Sequence, residues 1–356
     1  MTTVHQLLAG FRRGDAISDE AVQIRDLCAA HGVPCEIWCP APNIAPDARA
    51  RDLRNLAAAV RADDVALLHL SIGSAANEVF RGLPCRRAVL YHNVTPPRFF
   101  ERTNPATAAV LAAGLDAVRD LAGCGADAWA DSAFNAAELR AMGWRDPKVF
   151  PLLVPAGFAR RAPDRGVRAR LLSDPPADNL LFVGRLAPNK RHDRLLRIYH
   201  EYRKIAPASR LVLAGRTGGM ETYLALLRGM AYTLALPDVW FTDYLRPEEL
   251  AACYATASAF VCASDHEGFC APLLEAMAWR VPVFAAASAA VPETLGGAGV
   301  LFDPATPPET VAATIHRVLR DPALKEAVLA KQDARLARFQ ARDAWAELRA
   351  VLGLPA

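Results

Sequence analysis

SAFVCASDHEGFCAPLLEAMAWRVPVFAA, residues Ser258 to Ala286, reads as one strand–turn–helix–strand unit. Ala259 to Cys262 is a short unbroken apolar run, as expected of a strand covered on both faces of a parallel sheet. A polar turn from Ser264 to Gly268 follows. Pro272 then stands where a helix would begin, a position at which its missing N–H costs nothing. That helix start would lie at the carboxyl edge of the sheet, with backbone N–H groups suited to a phosphate. Glu267 precedes the helix and Glu275 lies about one turn inside it, so both face the same mouth. Carboxylates repel phosphate but accept hydrogen bonds from neighbouring hydroxyls, which suits a sugar or a ribose cis-diol. The plain alternative for Glu275 is a helix-surface glutamate, worth about 0.3 to 1 kcal/mol through the helix dipole.

The same alternation extends in both directions. Apolar runs at Leu180 to Val183, Leu211 to Ala214, Val239 to Thr242, Val281 to Ala285 and Val300 to Phe302 are each followed by a helical stretch. The first half begins with Val4 to Leu8, a loop with Gly10 and Gly14, and a helix expected to be capped by Ser18. It continues through CEIWC, a helix near Asp52 to Val60, and strands at Val65 to Leu70, Ala88 to Tyr91, Ala126 to Ala130 and Val149 to Val154. The pattern predicts an α/β protein with two Rossmann-like doubly wound domains facing each other across a cleft, with ligands outside the carboxyl ends of the strands. Residues 1–160 would form the first domain and 161–335 the second, with 336–356 returning as a helix to the first. The Arg-, Pro- and Ala-rich stretch from Ala156 to Asn179 reads as a solvated connection.

At 356 residues the chain suits two domains better than one. It is 53% hydrophobic and 22% charged, enough apolar material for two cores and no sign of bulk disorder. A net charge of only +3 argues against nucleic acid as a partner. No stretch approaches the length of apolar sequence that spans a membrane, so a cytoplasmic protein is expected, with peripheral contact at the inner face of the membrane as a further option. The eight cysteines show no C-x-x-C and no Cys/His spacing for zinc, and most read as reduced core residues. No acidic cluster calls for a metal.

Taken together, these motifs resemble the retaining glycosyltransferases of the GT-B fold, family 4, known as glycosyl transferases group 1. The signature is the pair Glu267 and Glu275 within EGFCAPLLEAMAWRVPV, and the resemblance is strongest from Leu180 to Pro304. It implies that LLFVGRLAPNKR supplies Arg185 and Lys190 to grip a donor diphosphate, both suitable cations. By the same resemblance LVLAGR brings Gly215 near the nucleoside, and Gly268, Phe269, Cys270 and Ala271 line the donor. Glu267 would hold the donor sugar and Glu275 the ribose. His92, at a strand end, would lie near the donor sugar, and the Gly14 loop would approach the diphosphate. Ser132 reads as a helix cap.

Two departures stand out. Asp15 follows Gly14 where a second glycine is common, and Cys270 stands where glycine is common. A thiol at a helix start is a candidate reactive cysteine, with simple packing as the alternative.

The implied activity is transfer of a glycosyl group from a nucleoside diphosphate sugar to an acceptor hydroxyl, with retention and without a cofactor. A lipid-linked acceptor is one candidate, with Arg12, Arg13 and Arg98 as possible contacts. A sugar-nucleotide epimerase of the same architecture, and a non-catalytic nucleotide-sugar-binding subunit, stay open as alternatives.

Overall fold

The expected apolar runs form parallel strands in both halves of the chain. The computed structural model describes residues 2–12, 14–46, 48–153, 161–172 and 177–355. Two units are distinguished: Met1–Arg98 with Ala106–Pro155 and Arg342–Ala356, and Phe99–Pro105 with Ala156–Ala341.

In the first unit, β1 (Val4–Leu7), β2 (Cys35–Cys39), β3 (Arg51–Asp52), β4 (Val65–Leu70), β5 (Arg86–Tyr91), β6 (Asp127–Ala130) and β7 (Lys148–Val149) lie in the order β3-β2-β1-β4-β5-β6-β7. The second unit orders β8 (Asp178–Val183), β9 (Ser209–Ala214), β10 (Val239–Phe241), β11 (Ala259–Cys262), β12 (Val283–Ala286) and β13 (Val300–Phe302) as β10-β9-β8-β11-β12-β13. Every pairing between these strands is parallel. The order reverses between β1 and β4 and again between β8 and β11, and such switch points open a crevice at the carboxyl ends of the strands.

The chain's last helix, Ala344–Leu352, completes the first unit. Its Leu348, Val351 and Leu352 are fully buried among Val4, Ile24, Leu67, Leu90 and Phe150. Arg342 fixes the return by donating to the carbonyls of Pro151 and Leu152. The preceding helix, Pro322–Gln340, stays with the second unit, so the return starts at Arg342 and not at 336.

Several local expectations change. Asp15, not Ser18, caps the first helix, Ala16–Ala30; it accepts from the Ser18 N–H at 3.1 Å and the Ser18 hydroxyl at 2.9 Å. The helix expected over Asp52 to Val60 is a 3-10 turn, Leu53–Asn55, and a single α turn, Leu56–Ala59. The last strand of the first unit pairs only over Lys148–Val149, and Val154 lies outside the described residues. In the stretch read as a solvated connection, 156–160 and 173–176 lie outside them too, but Arg165–Leu171 is a helix capped by Asp164, with Leu171 buried. Ser132 does cap its helix, accepting from the Asn135 N–H at 3.1 Å. Among the described residues no helix is long and apolar enough to cross a membrane.

Beneath the carboxyl ends of β1, β4, β5 and β6 runs a buried polar chain. The Gln6 amide donates to the Ala21 carbonyl at 2.8 Å, which turns its oxygen toward His69 Nε2, also at 2.8 Å. An amide oxygen only accepts, so His69 Nε2 must carry the proton. Burial, with the neighbouring His92 charge, holds the His69 pKa well below its usual value, so the ring is neutral and its Nδ1 accepts from His92 Nε2 at 2.8 Å. His92 Nδ1 meets the Asp131 carboxylate at 3.1 Å and Glu20 at 3.5 Å. His92 is therefore an imidazolium: burial opposes its charge, but Asp131 and Glu20 raise its pKa to about 9. Glu20 is 1% exposed, and burial raises its pKa to about 8 against the pull of His92.

Glu20 and His92 both bind a proton more tightly folded than unfolded. The stability they lend is complete below their unfolded values and is lost as pH rises through about 8 and about 9. The thermal midpoint is expected to fall between pH 6 and pH 9, and to fall less in the isosteric variant Glu20→Gln. Scanning fluorimetry across that range checks this, and a midpoint in the unchanged chain that stays level from pH 6 to 9 would refute it.

Candidate functional site

Two turns flank the switch point of the second unit. One follows β8 and runs from Gly184 to Lys190; the other follows β11 and runs from Ser264 to Cys270. They are tied by the Asn189 amide donating to the His266 carbonyl at 3.0 Å, and by the Asp265 N–H donating to the Asn189 carbonyl at 2.9 Å. Arg191, left-handed at φ +53°, reaches Asp265 at 2.8 Å and Asp193 at 3.0 Å.

This clamp brings together two of the predicted residues. Lys190 Nζ lies 2.5 Å from Glu267 Oε2, with the carboxylate only 7% exposed. Burial alone would lower the lysine's pKa, but the Glu267 charge and its hydrogen bond raise it, so Lys190 remains an ammonium. Glu275 lies in the helix Pro272–Ala278, as Pro272 foretold, and its Oε2 accepts from the buried Tyr254 hydroxyl at 2.6 Å. Arg185 is exposed beside Gly184.

Gly215 has a structural reason to be glycine: a Cβ there would fall 2.0 Å from the Gly184 carbonyl oxygen. Only a residue without a side chain lets the ends of β8 and β9 come so close. Gly268 sits in the second turn; Phe269 is buried, its carbonyl accepting from Thr294, and Ala271 is the residue before the helix. The helix start offers fewer donors than its sequence suggested. The N–H groups of Leu273, Leu274 and Glu275 are already bonded to the carbonyls of Cys270 and Ala271.

Cys270 is corrected as a reactive thiol. It is 8% exposed, and the Cys262 thiol, burial and the Glu267 charge push its pKa well above the usual thiol value, with Lys190 opposing only in part. Its backbone explains the glycine common at this place, since φ is +70°.

In the first unit, both ring nitrogens of His92 are committed to His69 and Asp131, so it has no N–H left for a sugar. Gly14 is left-handed at φ +72°, but its N–H is bonded to Asp19 at 3.2 Å instead of pointing toward an incoming phosphate. Arg13 lies outside the described residues. Tyr254, Asn189, Cys262, Gln6 and His69 escaped sequence reasoning, because each reaches its partner across strand pairings or helices distant in sequence.

Residues 167–336 match the family model described as glycosyl transferases group 1. A GDP-mannose-dependent alpha-(1-6)-phosphatidylinositol monomannoside mannosyltransferase of Mycolicibacterium smegmatis is 35% identical over 178 residues, 46% of this chain and 45% of that protein. A D-inositol 3-phosphate glycosyltransferase of Frankia alni is 36% identical over 180 residues, 48% of this chain and 44% of that protein. The chain thus spans less than half the length of these relatives. Two solved structures share the fold at low identity. Sucrose-phosphate synthase of Thermosynechococcus elongatus superposes with a TM-score of 0.72 at 17% identity, covering 99% of this chain and 98% of that one. HepE of Anabaena, solved in complex with UDP-glucose, gives 0.72 at 19% identity with the same coverage. With both units folded as in these structures, the chain has the GT-B fold, and its second unit matches the model of the glycosyl transferases group 1 family.

Proposed function

We propose that the chain is a retaining family 4 glycosyltransferase, which moves a sugar from a nucleoside diphosphate sugar to an acceptor hydroxyl. The Lys190–Glu267 pair at the switch point carries this reading, with Glu275 further along the same segment. On donor binding, Lys190 exchanges the carboxylate for a phosphate oxygen, and Glu267 turns to sugar hydroxyls. Glu275, steadied by Tyr254, holds the ribose diol, and exposed Arg185 adds a second cation to the diphosphate. Gly14, Gly215, Gly268, Phe269, Cys270 and Ala271 shape the donor's surroundings. His92 enters as a buried cation and not as a hydrogen-bond donor to the sugar.

Catalysis then rests on positioning and on stabilising charge at the leaving diphosphate, which takes the acceptor proton on the same face. The reading asks for no metal or other cofactor. A relative named for GDP-mannose and a neighbour solved with UDP-glucose support a hexose donor. The acceptor is a hydroxyl of a polysaccharide, glycolipid or other glycoside precursor, a lipid-linked one included, met in the cytoplasm or at the inner face of the membrane.

A thermal-shift screen of UDP-, GDP-, dTDP- and ADP-sugars is expected to give stabilisation by one base class. Calorimetry with that donor should then show Arg185→Ala and Glu275→Ala each weakening binding by about 1.5 to 3 kcal/mol, roughly 10- to 150-fold in Kd. Arg185 is exposed, so its removal should leave folding intact. Unchanged Kd in both variants would sink the site.

For the reaction itself, NMR of the first product formed from donor and acceptor is expected to show the donor's anomeric configuration. An inverted product would defeat retention, and isomerised donor formed without acceptor would defeat transfer.

A further inference from the structure

The second unit gathers two thiols beside the Glu267 carboxylate. Cys262 ends β11, and Cys270 stands in the turn that follows. Their two sulfurs and a carboxylate oxygen of Glu267 all lie within 4.8 Å of one another, and all three residues are buried. The Cys262 thiol also contacts the Ser264 hydroxyl at 3.3 Å. Cys270 is held at φ +70°, a conformation that glycine adopts freely and that disfavours every side chain. Backbone strain is thus accepted at the one turn position that sets a second thiol beside the first.

We propose that Cys262, Cys270 and Glu267 form a binding site for a soft, thiophilic divalent cation of the zinc or cadmium class. Two sulfurs and one carboxylate oxygen are three ligands of a tetrahedral site, with the fourth position left to water. Tetrahedral arms of about 2.3 Å put two sulfurs ~3.8 Å apart, so the group needs to close by about 1 Å at most. Charge also balances: two thiolates and one carboxylate meet a divalent ion and the adjacent Lys190 ammonium. Only coordination bonds form, and the two thiol protons leave to solvent. Because the ion takes an oxygen of the Glu267 carboxylate, cation and nucleotide sugar should exclude each other; this consequence alone rests on the donor role proposed above for Glu267.

The test is titration of the full, reduced, metal-free chain with Cd²⁺, followed by the ultraviolet charge-transfer absorption of cadmium thiolates. One Cd²⁺ per chain is expected to saturate the band. The double variant Cys262→Ser, Cys270→Gly keeps the other cysteines and should lose the band, with circular dichroism confirming the fold. Cys270→Gly alone, which relieves the positive φ, should lose at least half of the band if the double variant folds poorly. Absence of a saturable band in the unchanged chain, or an undiminished band in both variants, would overturn the site. Prior saturation with the nucleotide sugar found in the screen should suppress the band. A band that forms equally well with that sugar bound would support the cation site and remove Glu267 from the donor reading.

Discussion

The Lys190–Glu267 ion pair depends on two turns being held as one body. Asn189 links to the backbone of the turn after β11 as both donor and acceptor, while Arg191 binds Asp265 and Asp193. Between them Lys190 and Glu267 meet at 2.5 Å, largely out of water. Neither charge would be tolerable alone there, since removing one partner of a buried pair strands the other at a cost of about 3 to 5 kcal/mol. The pair is therefore a site assembled before any ligand arrives. A ligand with phosphate and hydroxyl groups can exchange with it, offering each charge a new partner, whereas a ligand with only one of these would leave the other charge unsatisfied.

The first unit uses charge inwardly. The Gln6 amide, oriented by the Ala21 carbonyl, fixes the His69 tautomer, and His69 in turn obliges His92 to carry both of its protons. One amide orientation thus sets the charge of an imidazole two residues away along the chain of hydrogen bonds. Asp131 answers that charge directly, while Glu20 adds a second, fully buried carboxyl group. Such a group is inexpensive only while protonated, which makes Glu20 the weak point of the network as pH rises.

What the sequence made legible was local. Apolar runs and intervening helical patterns gave the doubly wound halves, Pro272 marked its helix and Ser132 its cap, because each is decided within a few residues. The turn that holds Glu267 and the helix that holds Glu275 were legible for the same reason. Where two nearby residues were equally good caps, the sequence pointed the wrong way: Asp15 and Ser18 both qualify, and the left-handed Gly14 hands the role to Asp15. Gln6, His69, Tyr254 and Asn189 act through strand order and loop crossing, and no spacing along the chain announces them. Gly215 gained a reason that its sequence context did not announce, the close crossing of two backbones.

Cys270 brings these strands of reasoning together. A helix start does favour a thiolate, but that preference falls off within the first turn and is weak against the neighbouring Cys262 thiol, burial and the Glu267 charge. The residue's importance therefore comes from its company and not from the helix. A positive φ sends its side chain toward Cys262 and Glu267, so the position at which glycine would be easiest for the backbone becomes the one that gathers two sulfurs beside the carboxylate paired with Lys190. The Glu267 carboxylate thus stands within reach of both an ammonium and a pair of thiols.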